Sequence, residues 1–87
     1  MGSDDIFLTQ KGYEKLKEEL DFLTHDKRRQ VAKQLEKARA MGDLSENAEY
    51  DAAKEAQAHL EKKIRELEDK LSRARIIEHE NIPSDKV

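Results

Sequence analysis

The sequence predicts an all-α fold, namely a long antiparallel two-helix coiled-coil hairpin with an acidic tip. Charged residues make up 43% of the 87-residue chain and hydrophobic residues 36%. This balance suits two helices that share one narrow seam better than a thick globular core. Apolar residues recur at heptad-like spacing in both halves of the chain, and the two patterns mirror each other. The halves are separated by four carboxylates at mid-sequence: Asp43, Glu46, Glu49 and Asp51.

The first helix is predicted to span residues 10–41, after a lead-in at residues 1–8. Thr9 can accept a hydrogen bond from a free amide of the first turn, as N-cap residues do. Leu8 and Tyr13 then have the spacing of a hydrophobic staple. Gly42 is suited to end the helix, because glycine readily adopts the left-handed conformation at a C-terminal cap. The apolar stripe of this helix consists of Tyr13, Leu16, Leu20, Leu23, Val31, Leu35 and Ala38.

The second helix is predicted to span residues 46–77, after a tip at residues 42–45, so that the hairpin covers residues 9–78. Asp43 and Glu46 have the spacing of a capping box, and Ser45 is an alternative N-cap. Small residues dominate the stripe near the tip, which predicts that this end of the hairpin is thin. The stripe consists of Ala52 or Ala53, Ala56, Leu60, Ile64, Leu67, Leu71 and Ala74.

The two stripes match if the helices run antiparallel within one chain. The residue numbers of paired positions, such as Leu16 with Leu71, then share a constant sum. Both stripes depart from a strict heptad at the level where Lys27 faces Leu60, which predicts a matching stutter in both helices. The stem of Lys27 can lie along the seam with its ammonium group in solvent. A seam formed within one chain also predicts a monomer.

The ends of the chain and its composition set further expectations. Pro83 and its neighbours break the helical pattern, so residues 79–87 are predicted to form a linker to a C-terminal domain that this chain lacks. Residues 75–78 are suited to a short strand or to packing beside residues 6–8. Cysteine is absent and no apolar run is long, so we expect no disulfide, no membrane association and a cytoplasmic location. The net charge of −3 argues against nonspecific binding of duplex DNA as the main activity.

A basic strip precedes the acidic tip on the first helix. One interpretation is a solvated helix face with charge pairs at i and i+4. The other is a cationic surface that follows a nucleic-acid backbone toward the tip. The strip has no aromatic side chain, which argues against base stacking. Between residues 27 and 39 the strip contains one acid, Glu36. Its cations are Lys27, Arg28, Arg29, Lys33, Lys37 and Arg39.

Two of the tip acids, Asp43 and Glu46, lie three residues apart and can converge on one point that favours a cation. Mg²⁺ keeps most of its waters and takes one or two carboxylates, so these acids can complete a magnesium site but cannot form a whole one. The alternative is a purely structural capping role for both acids. Asn47 is interpreted as a turn-stabilising amide, and Tyr50 either packs under the turn or contacts a partner.

The tip also carries a long motif. Residues 42–55 read G-D-L-S-E-N-A-E-Y-D-A-A-K-E, which closely resembles the tip signature of the bacterial Gre transcript-cleavage factors of the GreA type. Residues 8–20 resemble the opening of the same family, and residues 71–77 resemble the end of its second helix. The resemblance covers about residues 6 to 83, nearly the whole chain.

This resemblance implies a coiled-coil domain that enters the secondary channel of bacterial RNA polymerase. By motif position, Asp43 and Glu46 are the acids that help to hold a catalytic Mg²⁺, shared with the polymerase, when backtracked RNA is cleaved near its 3′ end. The chain is then not an enzyme itself but activates hydrolysis in the polymerase. Its missing C-terminal domain has an FKBP-like fold in this family. The expected contacts to RNA or polymerase are Arg39, Lys54, Lys37, Lys33, Tyr50 and Asn47.

Two other functions stay open on the sequence. The chain is either a channel-binding paralogue that inhibits polymerase, or a structural coiled-coil module that oligomerises through its seam. The complete acidic pair and the neighbouring Asn47 favour activation over inhibition. The mirrored stripes favour a seam within one chain over a seam between chains.

Overall fold

The computed structural model describes residues 4–77, which form two helical arms and a small parallel sheet. Strand β1 (Ile6–Thr9) leads into helix α1 (Gln10–Phe22), a π-helical turn (Leu23–Lys27) and helix α2 (Arg28–Arg39). We call residues 10–39 the first arm. A short 3₁₀ turn (Leu44–Glu46) precedes helix α3 (Ala48–Ser72), the second arm, and strand β2 (Ala74–Ile77) follows. The prediction of a mostly helical chain with two long helical arms is confirmed.

The start and end of the first arm follow from its capping residues. The Thr9 hydroxyl accepts a hydrogen bond from the Gly12 amide at 3.0 Å, as predicted. Helix α2 ends at Arg39 rather than at residue 41, because the Met41 amide bonds back to the Ala38 carbonyl in a tightened last turn. Gly42 follows with a φ of 112°, a left-handed conformation that favours glycine.

The two arms pack against each other along the predicted apolar stripes. Ile64 is the most buried of these residues, with 1% of its surface exposed. Leu16, Leu20 and Tyr50 are half-buried against the same cluster. Of the two alternatives for the second stripe, Ala53 is buried and Ala52 is exposed. The buried members of the cluster are Leu23, Val31, Leu35, Ala53, Leu60, Ile64 and Leu67.

The matching stutter predicted for both arms is wrong for the second arm. Helix α3 stays α-helical throughout, and its buried residues Ala53, Leu60 and Leu67 keep heptad spacing. The first arm differs, because its buried residues Leu23 and Val31 are eight positions apart, one more than a heptad. The π-helical turn starts at Leu23 and absorbs the extra residue, which returns Val31 to the seam.

Side chains stabilise the π-helical turn by bonding to carbonyl groups of the preceding turn. The Thr24 hydroxyl donates to the Leu20 carbonyl at 3.0 Å, and His25 Nδ1 lies 2.9 Å from the Asp21 carbonyl oxygen. The Arg28 amide donates to the Leu23 carbonyl, five residues back, as in a π-helix. These bonds replace part of the ordinary α-helical ladder that the extra residue interrupts.

Deleting His25 is expected to convert the π-helical turn into an α-helical one and to leave the free energy of unfolding unchanged or higher. The deletion restores a continuous heptad, so every downstream seam residue keeps its partner. Deleting exposed Ala58 from the regular helix α3 is the matched control, and it should lose about 3 kcal/mol because one half of the seam rotates out of contact. Urea denaturation followed by circular dichroism measures both values. Equal losses in the two deletions would contradict this role of the turn.

The two strands correct the all-α prediction. Strands β1 and β2 pair in parallel, with Ile6 opposite Ala74 and Thr9 opposite Ile77. Helix α3 therefore ends at Ser72 rather than at residue 77, because residues 74–77 bond to β1 instead of continuing the helix. The option of a short strand at residues 75–78 is thus confirmed for residues 75–77, and residue 78 lies outside the described residues. The predicted linker at residues 79–87 lies outside the described residues.

A salt bridge joins the two arms at the middle, and hydrogen bonds connect the residues that lie next to the strands. The guanidinium of Arg28 donates to both oxygens of Glu61, at 2.8 and 2.7 Å. This hydrogen bonding lowers the pKa of Glu61 below its ordinary value. The partly exposed pair gives a modest stabilisation that is lost as the pH falls through that lowered pKa. At the strand end, Arg73 donates to the Asp4 carbonyl and to the Asp69 carboxylate.

Lys27 is exposed and lies in a groove that Leu60 also lines, as expected for a lysine at the edge of the seam.

Across residues 4–77, the helices are too short or too polar for any of them to cross a membrane.

Candidate functional site

The turn between the arms presents the predicted acidic residues. After Gly42 the chain enters the 3₁₀ turn, and Asp43, Ser45, Glu46 and Glu49 are all exposed. No atom lies within 4 Å of the position that a Cβ would take on Gly42. Another residue at this position would therefore strain the backbone without meeting a clash.

The carboxylate of Asp43 is held by the residue two positions on. Its Oδ1 accepts hydrogen bonds from the Ser45 hydroxyl at 2.7 Å and from the Ser45 amide at 3.0 Å. The hydroxyl bond first, and then the amide bond, lowers the pKa of Asp43 below its ordinary value. Asp43 is thus a carboxylate at neutral pH and caps the 3₁₀ turn. The capping box with Glu46 is wrong, because the amide that Asp43 accepts from is that of Ser45.

Asn47, rather than Asp43 or Ser45, is the N-cap of helix α3. Its Oδ1 accepts from the Tyr50 amide at 3.0 Å, and its Nδ2 donates to the Ala38 carbonyl at 2.6 Å. One side chain therefore starts the second arm and bonds to the last turn of the first. The interpretation of Asn47 as a turn-stabilising amide is confirmed. It is half-buried by these contacts, and its role as an RNA or polymerase contact stays a prediction.

Replacing Asn47 with Ala is expected to lower the free energy of unfolding by about 2 kcal/mol, because both the cap and the bond to Ala38 are lost. Asn47→Asp is the matched variant, since it keeps the acceptor for the Tyr50 amide and loses only the donor. Thermal unfolding should place Asn47→Asp between wild type and Asn47→Ala. Unchanged stability in Asn47→Ala would refute the bridging role.

Asp43 and Glu46 line the same shallow depression at the end of the molecule. It has a volume of about 340 Å³, and Glu49 joins the two predicted acids in its wall. Asp51, the fourth acid of the cluster, is not part of it. Sequence reasoning counted Glu49 among the four acids at mid-sequence but did not assign it to the site, although its three-residue spacing from Glu46 signals a shared side. The remaining lining residues are Met41, Asn47 and Ala48.

The residues in this depression fit a Mg²⁺ ion that is shared with another molecule. Within the part of the chain that the structure describes, no group of three or more His, Cys, Asp or Glu side chains is arranged to hold a metal. Two exposed carboxylates, Asp43 and Glu46, match the one or two that Mg²⁺ takes from a protein while it keeps several waters. The other ligands would come from the partner.

The predicted basic contacts are exposed but do not share one surface depression. Lys33, Lys37, Arg39 and Lys54 all lie on the surface. Only Lys37 lines the groove between the arms beside the acidic depression. The groove continues along the arms through Gln34 and Ala56, which line both of its sections. The continuation includes Lys27 of the basic strip and adds polar residues that sequence reasoning did not name as contacts, namely Gln30, His59 and Lys63.

Tyr50 belongs mainly to the packing of the seam. It is half-buried and packs against the buried cluster, and its amide bonds to Asn47. Of the two interpretations offered by the sequence, packing under the turn is the one that these contacts support. A contact between Tyr50 and a partner stays a prediction.

Comparisons with known proteins agree with the motif at the turn. The family model described as "Transcription elongation factor, N-terminal" (GreA_GreB_N) matches residues 6–76. Transcription elongation factor GreA of Chlorobium phaeobacteroides (strain DSM 266) is 53% identical over 98% of this chain and 54% of that protein. GreA of Chlorobaculum tepidum is 52% identical, also over 98% of this chain and 54% of its own length. The chain thus spans about half the length of the curated relatives it matches.

Proposed function

Because this chain belongs to the GreA/GreB family of transcription elongation factors, we propose that it stimulates the cleavage of backtracked RNA by bacterial RNA polymerase. The joint exposure of Asp43 and Glu46 in one depression at the end of the arms is the observation that carries this proposal. The arms act as an antiparallel coiled-coil hairpin that enters the secondary channel. The chain is not an enzyme by itself, since the polymerase supplies the active centre.

The shape of the molecule supports entry into a channel. Its principal extents are 68 × 26 × 15 Å, so it is long in one direction and thin in the other two. Alanines keep the arms close near the turn, where Ala38 and Ala53 are buried. A slender end of this kind carries the acidic residues away from the bulk of the chain and toward a recessed site.

The two acids have the same role, which is to offer carboxylate oxygens to one shared Mg²⁺ at the reacting phosphate. When bound, Mg²⁺ polarises a phosphoryl oxygen and lowers the pKa of a bound water. Asp43 offers Oδ2, because Oδ1 already accepts both bonds from Ser45. Glu46, one 3₁₀ turn further on, offers the second carboxylate from the same depression. The chain therefore orients two negative oxygens toward one point and leaves the remaining ligands to the polymerase and the RNA.

The exposed cations near the turn hold the extruded 3′ segment of the RNA. Arg39 ends the first arm and Lys54 lies in the second turn of the second arm, so the acidic turn lies between them in the sequence. Lys37 and Lys33 extend the positive charge away from the turn along the first arm. Their contacts are with phosphates, which makes binding independent of RNA sequence and sensitive to salt.

A cleavage assay on stalled transcription complexes tests this function. Backtracked complexes carrying 5′-labelled RNA are incubated with the chain, and with a chimera in which its residues replace the matching half of Chlorobaculum tepidum GreA. We expect the labelled RNA to shorten faster than in complexes without either protein. RNA that is cut more slowly would instead assign the chain to polymerase inhibition. Unchanged RNA with both proteins would reject the function in favour of a structural coiled-coil module.

A further inference from the structure

Ser45 makes the two hydrogen bonds that fix Asp43, although neither the motif nor the predicted chemistry gave it a role beyond capping. Both its hydroxyl and its amide donate to one oxygen, Oδ1 of Asp43, at 2.7 and 3.0 Å. We propose that Ser45 is a positioning residue that holds the Asp43 side chain in one rotamer, with Oδ2 directed outward for the shared Mg²⁺. This inference rests on the proposed function and extends it to a residue that touches neither metal nor RNA.

The arrangement of the turn separates Ser45 from the ligand side. Asp43 and Glu46 line the acidic depression, whereas Ser45, between them in the sequence, does not. Among the described residues, the hydrogen bonds to the Asp43 carboxylate all end on Oδ1. Ser45 therefore acts through Asp43, and its loss should change the orientation of that carboxylate without removing a ligand.

A carboxylate held in one rotamer binds an ion more tightly than a mobile carboxylate does, because less conformational entropy is lost on binding. An exposed aspartate ordinarily populates several staggered χ1 rotamers, and binding must then select one of them. Two donors on the same oxygen remove that freedom when the chain folds, so less is lost when the ion binds. The hydroxyl contributes one of the two bonds, and the backbone amide remains when the hydroxyl is removed. Loss of the hydroxyl is therefore expected to weaken the effect of Asp43 rather than abolish it.

Ser45→Ala and Ser45→Thr form a matched pair that isolates the hydroxyl. In the chimera, Ser45→Ala should slow stimulated cleavage about fivefold at subsaturating Mg²⁺, the factor expected for one net hydrogen bond. Ser45→Thr keeps a hydroxyl and should retain the wild-type rate. Competition for polymerase should be equal for all three proteins, because the proposed polymerase contacts do not include Ser45.

A second readout is independent of both metal and activity. Three-bond NMR couplings in the 87-residue chain without Mg²⁺ report the χ1 populations of Asp43. They should show one dominant rotamer in wild type and in Ser45→Thr, and averaged rotamers in Ser45→Ala. Averaged rotamers in the wild type, or one rotamer in Ser45→Ala, would overturn the inference.

The two readouts separate this inference from the function on which it rests. If Asp43→Asn is inactive while Ser45→Ala cleaves at the wild-type rate, the proposed function stands and the role of Ser45 is wrong. If the wild-type chimera fails to stimulate cleavage at all, the function falls and the positioning role falls with it. A slowed Ser45→Ala with averaged Asp43 rotamers supports both.

Discussion

Asp43→Asn is expected to reduce stimulated cleavage of backtracked RNA about a hundredfold, which corresponds to roughly 3 kcal/mol of transition-state stabilisation. The amide keeps an oxygen for the bonds from Ser45 but removes the negative charge that favours Mg²⁺. Glu46→Gln should show a loss of similar size, because the second carboxylate lines the same depression. The rate of RNA shortening in single-turnover assays with the chimera measures both effects.

Two controls show whether the slower cleavage results from the lost carboxylate rather than from misfolding or weaker binding to polymerase. Glu49→Gln removes a charge from the same depression but from the first turn of α3, and it should change the rate less than about threefold. Circular dichroism and competition for polymerase should be unchanged in all three variants, because Asp43, Glu46 and Glu49 are exposed. Near wild-type cleavage by both Asp43→Asn and Glu46→Gln would refute their catalytic assignment.

Ile64→Ala should lower the free energy of unfolding by about 3 kcal/mol, a large part of the stability of a small domain. Ile64 is 1% exposed and belongs to the apolar cluster that joins the arms. The seam is narrow, so few other side chains can move to fill the space that the substitution leaves. Urea denaturation followed at 222 nm measures the change.

Ile76→Ala is the matched control for this substitution, because it removes the same atoms from a side chain that is 43% exposed. Its effect should stay below about 1 kcal/mol, since little apolar area returns to water. Similar losses at the two positions would show that the seam between the arms does not dominate the stability of the chain.

Leucine and isoleucine spacing was sufficient to predict the two arms and their shared seam. Leu16, Leu20, Ile64 and Leu67 lie at or near the seam as expected, because helical periodicity records which face is buried. The π-helical turn was not predictable in the same way. One extra residue leaves the same gap in an apolar stripe whether several helical turns share the distortion or a single turn takes all of it. The sequence therefore could not show that the distortion is confined to one π-helical turn of the first arm.

The strands and the cap of the second arm were harder to derive from the sequence. Ala74 fits the helical stripe, but pairing with β1 across a long sequence separation prevails over that local pattern. Asn47 was assigned a turn-stabilising role, yet the cap was placed at Asp43 or Ser45, because all three residue types favour N-caps. The hydrogen bond from Asn47 to the Ala38 carbonyl favours Asn47 as the cap. This bond depends on how the two arms approach each other.

The candidate site was predictable in its acids and less so in their surroundings. Asp43 and Glu46 were nominated from the motif and do line one depression. Glu49 was missed as a member of that depression, and so was the support that Ser45 gives to Asp43. Both follow from the backbone of the short 3₁₀ turn, whose geometry residue types alone do not specify.

The Mg²⁺ dependence of stimulated cleavage tests the central claim most directly, namely that Asp43 and Glu46 supply carboxylates to a shared ion. Cleavage rates are measured over a range of Mg²⁺ concentrations with the wild-type chimera, with Asp43→Asn and without factor. The half-saturating Mg²⁺ concentration should be lowest with wild type and should rise about tenfold or more in Asp43→Asn, toward the value without factor. The same half-saturating concentration in all three reactions would contradict the claim.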